Sequence, residues 1–124
     1  MKFATARKTV IALGLLSLSS LSFAGDFVDA YEAASAEEYN KAAKIWHALA
    51  QQGNADAQFS LAMVYHSGVA GPLDEKEAVK WYQKAASNGH VQAQEYMAIA
   101  YREGWFGLDK DITQAEFWEA KLER

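Results

Sequence analysis

The reactive side chains in this sequence are three scattered histidines, His47, His66 and His90, and sixteen carboxylates, with no cysteine. No histidine has a second at i+3 or i+4, and without thiolates no zinc-type ligand set assembles. Glu37-Glu38 and Glu75-Lys76-Glu77 fall where helices are predicted to begin, so their charge complements a helix dipole and needs no acid–base role. Asp109 and Asp111 resemble part of a calcium loop, but the glycine and terminal bidentate glutamate of an EF-hand are missing. Gly104-Trp105-Phe106-Gly107 is not followed by Lys-Ser/Thr and is no phosphate loop. It does place two large aromatics in a turn, where they either fold onto the last helix pair or leave Trp105 as an exposed anchor. No Ser–His–Asp set is defined by spacing. The chain reads as a non-enzyme with no cofactor and no metal.

The elements that carry these residues repeat. Ala57-Gln58-Phe59-Ser60-Leu61-Ala62-Met63-Val64-Tyr65-His66-Ser67-Gly68 aligns with Ala93-Gln94-Glu95-Tyr96-Met97-Ala98-Ile99-Ala100-Tyr101-Arg102-Glu103-Gly104 at a constant offset of 36. Asp74, Ala78 and Trp81 recur 37 later as Asp111, Ala115 and Trp118, which puts one extra residue in the second loop. Ala43 and Trp46 precede Ala78 and Trp81 by 35. Within each unit the apolar residues follow helical spacing, glycine ends the first helix, and aspartate caps the second. The predicted helices run from Phe27 to Ala34, Glu37 to Gln52, Asp56 to Ser67, Asp74 to Asn88, Val91 to Glu103, and from Asp111 to the C-terminus. One such pair cannot bury its apolar face alone, and stacking three gives each a neighbour. The expected fold is therefore all-α: a right-handed α/α solenoid of three antiparallel pairs, in units of about 26–53, 54–89 and 90–124. Its core is expected at Trp46, Leu61, Tyr65, Ala78, Trp81, Tyr101, Ala115 and Trp118.

Ahead of the repeats, Lys2, Arg7 and Lys8 precede an apolar run from Val10 to Leu21, and Ser22-Phe23-Ala24 follows. This is the pattern of a signal peptide cleaved after Ala24. The alternative for the same run is a retained anchor helix, although it is shorter than the roughly 20 apolar residues a membrane span needs. Without those 24 residues and their three cations, 100 residues remain with nine basic and sixteen acidic side chains, a formal net charge of −7. That balance argues against nucleic acid or an anionic membrane surface as partner. The expected location is the periplasm or the exterior, where many small domains lean on disulfides. A chain without cysteine must hold together by packing alone.

The pattern Ala57-Gln58, Leu61-Ala62, Tyr65, Gly68, Asp74, Ala78, Trp81-Tyr82, Lys84-Ala85-Ala86, Gly89 resembles the Sel-one-like repeat, a relative of the tetratricopeptide repeat. Tyr39, Ala42, Trp46, Ala50 and Gly53 resemble the opening unit of short secreted bacterial members. The sequence departs from the family pattern at Ala70 and Phe106, where a second loop glycine is usual, and at Glu37, where glycine is common. The resemblance implies an adaptor or scaffold that binds another protein through the concave face lined by the first helix of each pair. By position that face comprises Tyr31, then Phe59, Met63 and His66, then Glu95, Ile99 and Arg102. Phe59 and Met63 are also four apart, on a helix face distinct from Leu61 and Tyr65, and a leftover apolar stripe is a binding candidate. The alternative is that a short array packs these residues against neighbouring helices. Two roles fit an adaptor of this kind: an immunity protein that neutralises a secreted toxic effector, or an assembly factor of a cell-envelope complex.

Overall fold

The structure is a computed structural model that describes residues 25–124. The expected signal peptide lies outside the described residues. Among the described residues there are six helices and no strand. Helix α1 covers residues 25–35; α2 is Tyr39–Gln51, α3 Ala55–Ser67, α4 Glu75–Ser87, α5 Val91–Glu103 and α6 Ile112–Leu122. From α2 onward each helix packs against the next in sequence, as an all-α solenoid requires.

The loops show how the pairs close. Gly68 and Gly104 end α3 and α5 in the left-handed region, with φ of 70° and 72°. A Cβ at Gly104 would also meet the Leu108 carbonyl oxygen at 3.2 Å, a tight contact added to the strain of a side chain at positive φ. Asp74 and Asp111 then start the second helices. Each side chain accepts from the N–H three residues on, Glu77 at 3.1 Å and Gln114 at 3.0 Å. Their own N–H groups donate backwards, to the carbonyls of Tyr65 at 3.0 Å and Tyr101 at 2.8 Å. The reciprocal arm of a capping box is thus replaced by a bond to the preceding helix, and this bond sets the hairpin.

The opening of the first unit differs from expectation. Glu37 does not start a helix; it occupies the turn after α1 at φ 63°, and α2 begins at Tyr39. The positive φ explains why glycine is usual at this position. Phe106 adopts φ 55° for the same reason in the last loop.

Small residues let the helices approach and the tryptophans fill the gaps. Ala42, Ala57, Ala62, Ala78, Ala85 and Ala93 are fully buried. Trp46, Trp81 and Trp118 are 7%, 5% and 3% exposed, and Leu61, Ala78 and Ala115 are buried as expected. Tyr65 and Tyr101 pack at the edge of the core, partly exposed. None of the three indole N–H groups has a hydrogen-bond partner among the described residues. Burying an aromatic ring of 150–250 Å² contributes about 4–6 kcal/mol, against about 1–3 kcal/mol for one unanswered donor. Packing therefore wins at all three positions.

Candidate functional site

The repeat positions that carry polar function inside the array were only half legible. Gln58 and Gln94, 36 residues apart, are buried. Their Nε2 groups donate to the Ala50 and Ala86 carbonyls, at 3.0 and 3.1 Å, in the last turns of α2 and α4. Gln58 Oε1 also accepts from Asn88 Nδ2 at 2.9 Å. The glutamines fasten each first helix to the end of the previous second helix. The recurring Ala-Gln pair was the available signal, but nothing in the spacing gives it a role.

The histidines are absorbed by structure. His47 lies edge-on to Trp81, with centroids 6.0 Å apart. His90 caps α5: Nδ1 accepts from the Ala93 N–H at 3.2 Å, and Nε2 lies 3.3 Å from Asp56 Oδ1. This places the ring proton on Nε2. His66 Nδ1 is 3.2 Å from the Tyr82 hydroxyl, and its ring meets Phe106 edge-on at 4.6 Å. Tyr82 is fully buried, and burial, reinforced by Tyr96, pushes its phenol well above the ordinary value. No group of three or more His, Asp or Glu among the described residues is placed to hold a metal ion.

The seven expected contact residues divide. Phe59 is a correction: it is 9% exposed, stacked on His90 at 4.3 Å and packed on Tyr82 and Tyr96 at 5.5 and 5.6 Å. Helix α3 has neighbours on several sides, so no apolar stripe is left over at its N-terminal half. His66 is half-buried in the same aromatic group. Arg102 is drawn into a pair with Glu119 of α6, at 2.6 and 3.0 Å, which also raises its already high pKa. Glu95 and Ile99 stay exposed on α5. Trp105 and Phe106 part company: Phe106 folds onto His66 and Tyr82, residues of the second pair and not the third, whereas Trp105 remains 49% exposed.

Tyr31 and Met63 are brought together. They are 54% and 46% exposed and flank one groove of about 400 Å³ between α1, α2 and α3. Trp46 and Val64 form its floor and Val69 its rim. Tyr31 approaches Trp46 edge-on with centroids 6.1 Å apart. The lining is almost wholly apolar, with only the hydroxyls of Ser60, Ser67, Tyr31 and Tyr39 to hydrogen-bond a guest. Such a surface supplies contact area.

Stacked helix pairs with an exposed apolar groove define a repeat scaffold. The Sel1 repeat model matches residues 55–90 and 91–118, and the chain belongs to that family. The first helix pair lies outside the matched residues. Sel1 repeats generally mediate protein–protein interaction, and their fold is typically a non-catalytic scaffold. Over 67 residues, 54% of the chain, it is 38% identical to a chitin synthase regulator of Saccharomyces cerevisiae and 33% identical to an F-box protein of Arabidopsis thaliana. The chain spans only 10% and 18% of those two proteins. Among solved structures, a Sel1 repeat protein from Oxalobacter formigenes superposes with a TM-score of 0.62 at 28% identity, covering 68% of this chain and 64% of that one. A protective antigen of uropathogenic Escherichia coli with the same repeat fold gives 0.61 at 34% identity, covering 68% of this chain and 18% of that one.

Proposed function

We propose that this protein is a non-catalytic adaptor of the periplasm, released there by cleavage after Ala24, that binds a partner protein through its first-helix face. The observation that carries this reading is the apolar groove with Tyr31 and Met63 exposed on its walls. Two large side chains left in water beside an apolar floor are costly unless a partner covers them. A protruding aromatic or aliphatic side chain of the partner suits the groove as an anchor.

The test is an affinity pull-down of the processed protein from its own envelope extract, run beside a Tyr31→Glu/Met63→Glu variant. A single stoichiometric secreted toxic effector, lost with the variant, identifies a neutralising adaptor. Several subunits of one envelope machine, lost with the variant, identify an assembly factor. Equal capture by both proteins, or no capture by either, overturns the assignment of the groove. N-terminal sequencing of the protein from the periplasmic fraction checks the location independently: it should begin at Gly25.

A further inference from the structure

The charges of the described residues are unevenly divided between the two sets of helices. α1, α3 and α5 carry Asp26, Asp29, Glu32, Asp56, Glu95 and Glu103 against a single cation, Arg102, which is paired. Of the second helices, α2 and α4 carry Lys41, Lys44, Lys76, Lys80 and Lys84 against Glu75 and Glu77, whereas α6 carries Lys121 against Glu116 and Glu119, so the basic excess belongs to α2 and α4. Three of these lysines, Lys76, Lys80 and Lys84, recur every four residues and line an open groove of about 1080 Å³ between α2 and α4. Trp81 lies in that groove, with Lys84 Nζ 4.5 Å and Lys80 Nζ 5.9 Å from its ring centroid. Glu77 also lines it but is taken up by Lys80 at 3.6 Å. Lys76 and Lys84 have no carboxylate at ion-pair distance among the described residues.

We propose that this groove is a second docking site, one that takes an extended acidic segment of a partner protein. Lysines one helical turn apart are separated by about 6 Å along the axis. Alternate side chains of an extended peptide are about 6.5–7 Å apart on one side, so carboxylates at every second residue match the row. The exposed amides of Gln51 and Gln83 in the groove supply both donors and acceptors for the peptide backbone. The acidic first-helix residues repel the same segment and the net charge of residues 25–124 is negative, so its attraction is local to the lysine row of α4, within about a Debye length. The groove shares none of its residues with the Tyr31–Met63 groove, and the two assignments stand or fall separately.

The probe is a short peptide alternating Glu and Ser, titrated into the processed protein by calorimetry at low and physiological salt, with a Lys–Ser peptide of equal length as control. Binding of the acidic peptide alone is expected, weakening with salt. A Lys76→Glu/Lys84→Glu variant should bind it at least about tenfold more weakly. Lys110→Glu/Lys121→Glu, off the groove, and Tyr31→Glu/Met63→Glu should leave it unchanged. If the groove variant loses helicity, Lys76→Gln/Lys84→Gln gives the same reading without charge reversal. Absence of binding, or equal loss in the groove and off-groove variants, overturns the proposal. So does a concentration-dependent dimer abolished by the groove variant, which would give the site to the acidic face of a second copy.

Discussion

Trp81 packs under His47 of the preceding pair and under two lysine stems of its own helix, and so joins two repeat units. Truncation to alanine removes that ring from the contact between the two units. Trp81→Ala should cost about 3–5 kcal/mol in urea unfolding. A loss below about 1 kcal/mol would mean the ring does not hold the units together. Tyr82 is the residue whose ionisation couples to folding. Burial raises its phenol pKa in the folded chain, so above about pH 10 the unfolded chain gives up a proton that the native chain keeps. The stability linked to this group is complete below that pH and declines as pH rises beyond it. Tyr82→Phe should flatten the alkaline decline in unfolding midpoint above about pH 10. Parallel declines in both proteins would exonerate Tyr82.

Two of the three residues that depart from family glycines, Glu37 and Phe106, share one backbone conformation and have opposite surroundings. Glu37 at φ 63° is exposed, and its backbone bears the strain of a side chain in the left-handed region. Glu37→Gly should stabilise by about 0.5–1 kcal/mol, the relieved strain less the added freedom of the unfolded chain. Phe106 at φ 55° bears the same strain but packs against His66 and Tyr82 at 4.6 and 5.6 Å. Phe106→Gly should destabilise, because the lost ring contacts outweigh the relief. Thermal midpoints moving in opposite directions check both statements at once. Glu38 stands outside the first turn of α2: the turn after α1 uses one residue more than the spacing predicts, so Glu38 precedes α2 and pairs with Lys41 at 3.5 Å.

For the molecule as a whole, core and contact surface separate on α3. Tyr31→Glu/Met63→Glu should leave the circular dichroism and the unfolding midpoint nearly unchanged while abolishing partner capture. Phe59→Glu should instead unfold the chain, since a carboxylate cannot be buried among Tyr82, His90 and Tyr96 without a partner. A Phe59→Glu protein with native helicity would return Phe59 to the surface. The Arg102–Glu119 pair, half-exposed on both sides, ties α5 to α6 and orients them more than it stabilises them.

The offset of 36, slipping to 35 and 37 only in loops, was enough to give the helices, their pairing and the tryptophan core, because each follows from local spacing, caps and turn glycines. The Asp caps and the Gly68 and Gly104 stops are local interactions within four residues, and these were read at their positions. The contact surface was not fixed in the same way. Phe59, His66 and Arg102 share a register with Met63 and Ile99, and helical spacing alone cannot say which of them a later helix will cover. Residues 31–37 positions downstream decide it: Tyr96 and His90 cover Phe59, while Met63 stays 46% exposed. The Gln58–Ala50–Asn88 clasp and the groove between Tyr31 and Met63 likewise join residues 8 to 32 apart in sequence. Local physics sets which segments are helices; which side chains remain in water is set by the neighbours those helices acquire on stacking.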